Sequence, residues 1–352
     1  MTYRLAGRLR GAAFALVLAC PAAGCLAAQT EPTYTLVASI PLGAPDRWDY
    51  VVFDPATQRA YVAHADAVTV VDTAALAVVG SLAGLDGAHG TAPVPSLGKV
   101  FADSGRTGKV TDYDARTLAA TATIKAVGDA DGMIYDPASD QVVVLGGDSA
   151  SAGFINPHTD QLAATLPLGG SAEGAAVDGR GTMFVAISDR DEVAVVDTGA
   201  RRVTARWPLP GCHNPHGVAL DPATARLFVS CPAGQMAVLD SHDGRETALL
   251  PIGKGTDSAA FDPAHGVALS SDGDGTLGVV AETATGVQAL GTVATLPGAR
   301  TMAVDPATGR VFIAAATASG TEPPRTPGGR PRLTYVPGSL RLLVYAPEHP
   351  AP

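Results

Sequence analysis

Apolar residues along this chain come in short runs, broken by Asp, Pro, Gly and Thr, and no stretch carries the three- and four-residue spacing of an amphipathic helix. Such runs predict strands joined by tight turns. Within residues 217–251, Gly217–Leu220, Arg226–Ser230, Gln235–Leu239 and Thr247–Pro251 read as four strands of ordinary length. The same unit recurs seven times: apolar strand, Asp-Pro-Ala-Thr turn, apolar strand, short loop, Val-Val-Asp strand end, and a Leu-rich strand ending in Gly. Its turn position falls at Asp54, Val94, Asp136, Asp178, Asp221, Asp262 and Asp305, at intervals of 40 to 43 residues. The later strand end falls at Asp72, Asp114, Asn156, Asp197, Asp240, Glu282 and Ala346, at intervals of 41 to 43 until a last one of 64. Asp-Pro opens a turn because Pro presets the backbone angle of the second position while the Asp side chain caps the turn.

Four-strand units of this period are β-propeller blades, and seven of them close a ring. The expected fold is therefore all-β, a seven-bladed propeller of four-stranded antiparallel blades. Closure is legible at the ends. Tyr34–Leu42 reads as a fourth strand with no first three before it, and the last unit stops after its third strand, Leu340–Tyr345. The N-terminal strand is expected to complete the last blade and remove the open edge.

The segments Asp221-Pro222-Ala223-Thr224-Ala225-Arg226-Leu227-Phe228-Val229 and Asp305-Pro306-Ala307-Thr308-Gly309-Arg310-Val311-Phe312-Ile313 each lead to a strand end of Val-Val-Asp type. In this the chain resembles the YVTN-type, YncE-like seven-bladed propellers over about residues 34–347. The resemblance implies the fold and leaves the activity open, because one scaffold serves many functions.

The chain has 352 residues, 46% hydrophobic and 16% charged, so it is too apolar for disorder and long enough for a large core. Residues 1–28 read as an export signal: Arg4, Arg8 and Arg10, an apolar stretch from Gly11 to about Gly24, then small residues before Gln29. Ala22-Ala23-Gly24-Cys25 also resembles a lipoprotein cleavage site. The expected location is periplasmic or secreted, with lipid anchoring as the alternative. No later stretch is a transmembrane candidate, and residues 29–352 are expected to form one propeller, monomeric. Loss of the leader takes the formal charge from −10 to −13, which repels phosphate backbones and argues against nucleic acid. Outside the leader only Cys212 and Cys231 remain, and in an oxidising compartment they are expected to pair.

In a four-strand blade, the loop entering the first strand and the loop joining the second and third lie on one face, opposite the Asp-Pro turns. Five positions before each turn stand Asp49, His89, Asp131, Glu173, His216, Asp257 and Arg300. Every blade thus offers an ionisable group at the inlet of its innermost strand, where the strands converge. A ring of four carboxylates, two imidazoles and one guanidinium at the channel mouth is the first candidate site. A water-filled channel that tolerates polar rim groups is the competing account. Trp48 and His64 fall on the same face as accessory candidates. So does an insertion at about 317–338, rich in Pro and Arg, expected either as a flap over the channel or as an exposed loop with no role.

Metal ions enter as candidates through His89, His216 and Glu173, with oxygen ligands suiting Ca²⁺ or Mg²⁺ and imidazoles favouring Zn²⁺ or Cu²⁺. Cys212-His213-Asn214-Pro215-His216 with Cys231 is a weaker thiolate alternative to the disulfide. Asp272-Gly273-Asp274-Gly275 resembles a calcium loop only superficially and reads as a hairpin turn. There is no G-x-S-x-G elbow, phosphate loop, haem attachment motif or dinucleotide fingerprint. The leading expectation is a binding or scaffold protein that takes a small polar ligand or a metal ion at the ring. A lactonase- or cyclase-like enzyme would use Glu173 or His216 as acid or base and Arg300 against an anion. An interaction platform would use the blade edges and ignore the ring.

Overall fold

The Asp that opens a repeat turn closes it with its own side chain. Asp54, Asp221 and Asp305 each accept the backbone N–H two residues on at 3.0 Å and the Thr hydroxyl three residues on at 2.6 Å. Blade two has Val94 at this position, and there a 3₁₀ turn, Pro95–Leu97, replaces the Asp cap and ends at Gly98 in the left-handed region. Only Gly adopts that conformation without steric penalty.

A computed structural model describes residues 1–3, 34–324 and 331–348. Its strands form seven four-stranded antiparallel sheets and one two-stranded sheet. The innermost strands are Trp48–Asp54, Thr91–Val94, Ala130–Asp136, Ala172–Val177, Gly217–Asp221, Thr256–Asp262 and Thr301–Val304. In blade five the four strands are Gly217–Asp221, Arg226–Cys231, Gln235–Asp240 and Glu246–Pro251, within a residue of the expected bounds. The ring closes as the sequence implies. Tyr34–Pro41 runs antiparallel to Arg341–Pro347, from Tyr34 opposite Pro347 to Pro41 opposite Arg341, and is the outer strand of blade seven.

The core is divided among the blade interfaces. Seven clusters of buried apolar side chains each span two neighbouring blades, from blades one and two round to blades seven and one. Second strands supply large plugs at matching positions: Tyr61, Phe101, Phe184, Phe228 and Phe312 are all buried. Sheets packed face to face bury both sides of each inner strand, so these strands read as continuous apolar runs rather than alternating ones.

The insertion in blade seven is more ordered than a loop. Ala318–Glu322 pairs antiparallel with Arg332–Tyr335, with residues 325–330 outside the described part. Its base is anchored to blade one. Asp46 accepts the N–H groups of Gly338 at 2.6 Å and Leu340 at 2.7 Å, and the Tyr335 ring packs on Trp48 with centroids 5.0 Å apart. The expected leader, beyond Met1–Tyr3, lies outside the described residues. Among the described residues no helix is long and apolar enough to cross a membrane.

Candidate functional site

The inner ladders break where the ionisable column sits. Register shifts interrupt the first strand pair between Trp48 and Val51, Ala130 and Met133, Ala172 and Ala175, and Thr256 and Ser258. Asp49, Asp131, Glu173 and Asp257 lie in those four bulges. His89, His216 and Arg300 lie just before the inner strands that start at Thr91, Gly217 and Thr301. A bulge frees a residue from the ladder and re-aims its side chain, which accounts for one polar group per blade at the channel mouth.

Freed backbone groups bond across blades instead of along them. The N–H of Tyr50 donates to His89 O at 3.2 Å, that of Gly174 to His216 O at 3.0 Å, and that of Asp257 to Arg300 O at 3.2 Å. The Thr301 hydroxyl joins blade seven to blade one, donating to Asp49 O at 2.7 Å. This approach needs small residues directly after the ring position. A Cβ on Gly90 would lie 2.6 Å from Asp131 O, and one on Gly174 2.5 Å from His216 O. Gly90, Gly132, Gly174, Gly217, Ser258 and Thr301 form a second column that sequence reasoning missed, although it sits one place beyond the first.

Tyr50 is the exception in that column. Its ring lines the channel, and burial together with the charges of Asp131, Asp49, Glu173 and Asp257 holds its phenol well above the usual range. It is therefore a proton donor at neutral pH, set among four carboxyls, and no motif marked it.

All seven column residues meet in two linked groups. In one, His89 Nδ1 is 3.9 Å from Asp131 Oδ1, and Asp49, His89 and Asp131 each bring a donor atom within 4.8 Å of the others. In the other, His216 Nε2 lies 3.9 Å from both Glu173 and Asp257, and Arg300 Nε donates to Asp257 Oδ2 at 2.7 Å. Ser188 donates to Glu173 Oε1 at 3.1 Å. The His216 Nδ1 is 2.8 Å from the carbonyl of Asn214, which only accepts, so Nδ1 carries the hydrogen and Nε2 faces the carboxyls.

Burial dominates the electrostatics. It raises Asp49 to about 7, with Asp131 adding to the rise and Arg300 opposing it. Burial likewise raises Glu173 to about 7 against the attraction of His216, and lifts Asp131 against His89. The adjacent Asp257 carboxylate raises Arg300 further, so it stays a cation. Beneath the ring a cavity of about 300 Å³ is lined mainly by apolar groups, among them Val51, Met133, Ile134, Val218 and Met302. The arrangement offers a charged mouth that can hold or exchange protons near neutral pH, above an apolar shaft.

The accessory candidates serve the framework. Both ring nitrogens of His64 are engaged, with Thr69 Oγ1 at 3.0 Å and Pro45 O at 2.6 Å, and the side chain is buried. Trp48 is buried beneath the hairpin residue Tyr335. Cys212 and Cys231 are disulfide-bonded, with Cα atoms 5.5 Å apart, which leaves neither thiolate for a metal. Asp272–Gly275 belongs to the hairpin turn between the strands Val267–Asp272 and Thr276–Thr283.

No family model matches the chain, and no curated protein is similar to it. Among solved structures, a chain of Kuenenia stuttgartiensis hydrazine synthase aligns with a TM-score of 0.66 and 15% sequence identity, covering 77% of this chain and 93% of that one. The likeness is one of propeller fold.

Proposed function

We propose that this protein is an exported, YncE-like propeller that binds a small polar ligand or cation at the seven-residue ring of its channel mouth. The observation that carries the reading is convergence: seven blades each deliver one ionisable side chain to a single cluster, by way of bulges or strand starts. The ring holds four carboxyls against one permanent cation, so it favours a ligand with a positive group, with Arg300 available for an anionic end. The apolar shaft below suits a ligand with an apolar body of modest size. The disulfide supports export, since such cross-links persist in oxidising compartments.

A thermal-shift screen of small amines, amino acids and divalent cations tests the reading, run on wild type, Arg300→Gln and Asp257→Asn. A hit whose stabilisation vanishes in a ring variant supports it; hits that persist in both variants refute it. One observation favours a second, enzymatic reading. Glu173 titrates at about 7 beside His216, as a general acid or base would. A lactonase-like activity lost in Glu173→Gln with ligand binding retained would decide for it.

A further inference from the structure

We infer that Asp49, His89 and Asp131 form a binding site for one divalent transition cation, with Zn²⁺ as the type case. The inference rests on the reading of the ring as a ligand site and assigns the chemistry of one half of it. A carboxylate oxygen of Asp49, one of Asp131 and a ring nitrogen of His89 lie within 4.8 Å of one another. Donors around a tetrahedral ion with bonds of about 2.1 Å stand about 3.4 Å apart, so side-chain shifts of about 1 Å close the set. Mixed nitrogen and oxygen donors select a borderline ion over Ca²⁺, which takes oxygen alone. Three protein donors leave a fourth position for water or ligand.

The carboxylates of this group differ from those that close the repeat turns. Asp54, Asp136, Asp221 and Asp305 each accept bonds from turn N–H and hydroxyl groups. Among the described residues the side chains of Asp49 and Asp131 accept no hydrogen bond, and Asp131 has only His89, at 3.9 Å. Both carboxylates are half-buried and face one imidazole with no hydrogen-bond donor between them, an arrangement in which a single cation would bridge all three groups.

The imidazole is supported in the manner of a metal ligand. His89 Nδ1 is 3.0 Å from the carbonyl of Ala130 and 3.9 Å from Asp131 Oδ1, so the ring is held beside the carboxylate. A backbone carbonyl behind a ligating imidazole fixes its tautomer and orientation. Asp103 accepts the N–H groups of His89 and Gly90, both at 2.8 Å, and pins the loop. Gly105 makes room for the ring, since a Cβ there would lie 2.5 Å from His89 Nδ1 and 2.7 Å from Ala130 O. Three successive blades thus supply three donors, blades one and two tied by Tyr50 N–H to His89 O and blades two and three by the His89 ring on Ala130 O.

The test is isothermal titration of the EDTA-stripped, dialysed full chain with Zn²⁺, and separately with Ca²⁺. Expected are one Zn²⁺ per chain, Ca²⁺ binding at least tenfold weaker, and at least a tenfold loss of Zn²⁺ affinity in both His89→Gln and Asp131→Asn. Glu322→Gln, an exposed carboxyl on the hairpin outside the ring, should stay within threefold of wild type. Gly105→Ala keeps every donor and should still weaken Zn²⁺ severalfold by displacing the imidazole. Circular dichroism confirms that each variant is folded, and Asp131→Asn, being isosteric, keeps the test available should His89→Gln misfold. No Zn²⁺ binding by wild type, or affinity unchanged in both triad variants, overturns the inference. If Zn²⁺ fails while an Arg300-dependent organic ligand still binds, the metal assignment falls and the ring reading stands. If both fail, both fall.

Discussion

Replacing Glu173 by Gln should make the protein more stable at neutral pH, and only there. The carboxyl ordinarily titrates at 4.5, but burial holds it at about 7 in the folded chain. Between those values the folded state binds a proton that the unfolded state has released. Stability therefore falls as pH rises through this window, and the loss is complete above about pH 7. At 1.36 kcal/mol per pH unit the whole window corresponds to about 3 kcal/mol, with Asp49, which also titrates at about 7, sharing the same field. Gln keeps the volume and can still accept from Ser188, but it has no charge to desolvate. Urea unfolding in EDTA at pH 4.5 and 7.5 measures the difference. The variant should exceed wild type by about 3 kcal/mol at pH 7.5 and by less than about 1 kcal/mol at pH 4.5. A difference independent of pH, or a variant less stable at pH 7.5, would refute the account of Glu173 as a buried, destabilising carboxylate.

Other consequences are as direct. Gly174→Ala places a methyl 2.5 Å from the His216 carbonyl, a backbone atom that cannot rotate away, and should lower unfolding free energy by about 1–3 kcal/mol in chemical denaturation. Replacing both cysteines by Ala opens a cross-link spanning 19 residues, for which loop-closure entropy gives a loss of about 3 kcal/mol, read by the same assay without reductant. Asp46→Ala removes the acceptor for Gly338 and Leu340 N–H, so trypsin should cut the 318–335 hairpin severalfold faster while the propeller stays intact on a gel. Equal cutting rates would place the hairpin's anchorage elsewhere, with the Trp48–Tyr335 contact as the next position to test.

The architecture was legible because its signals are local and repeated. A turn Asp with a Thr three residues on makes the same two hydrogen bonds in blades one, five and seven, and the recurring turn position counts blades. Closure followed from an unpaired strand at each end of the chain. The ring column was legible because bulges and strand starts fall at a fixed distance before each turn. What escaped was everything set by contact between blades. The small-residue column answers to a neighbouring carbonyl about 40 positions away, as in Gly90 and Asp131 or Gly174 and His216. Tyr50 looks ordinary in its own strand and becomes unusual only when three other blades add carboxyls to that of Asp49 around it. His64 looked like a channel residue by position, but its nitrogens are spoken for by Thr69 and Pro45. The insertion, read from Pro and Arg content as a loop, contains a strand pair because Thr321, Leu333 and Thr334 favour extended backbone.

These contacts also separate what builds the ring from what the ring carries. The backbone stitch of Tyr50 to His89, Gly174 to His216 and Asp257 to Arg300 uses only main-chain groups, so Ser or Asn at the column positions would leave it intact. Instead the positions hold ionisable side chains, and two of them stay protonated up to about pH 7 because the fold cannot solvate their charge. A group that lowers stability at neutral pH and takes no part in these main-chain bonds has no architectural reason to be charged. On the proposed reading, a cation or cationic group among the ring carboxyls would supply the compensating interaction by favouring their ionised form.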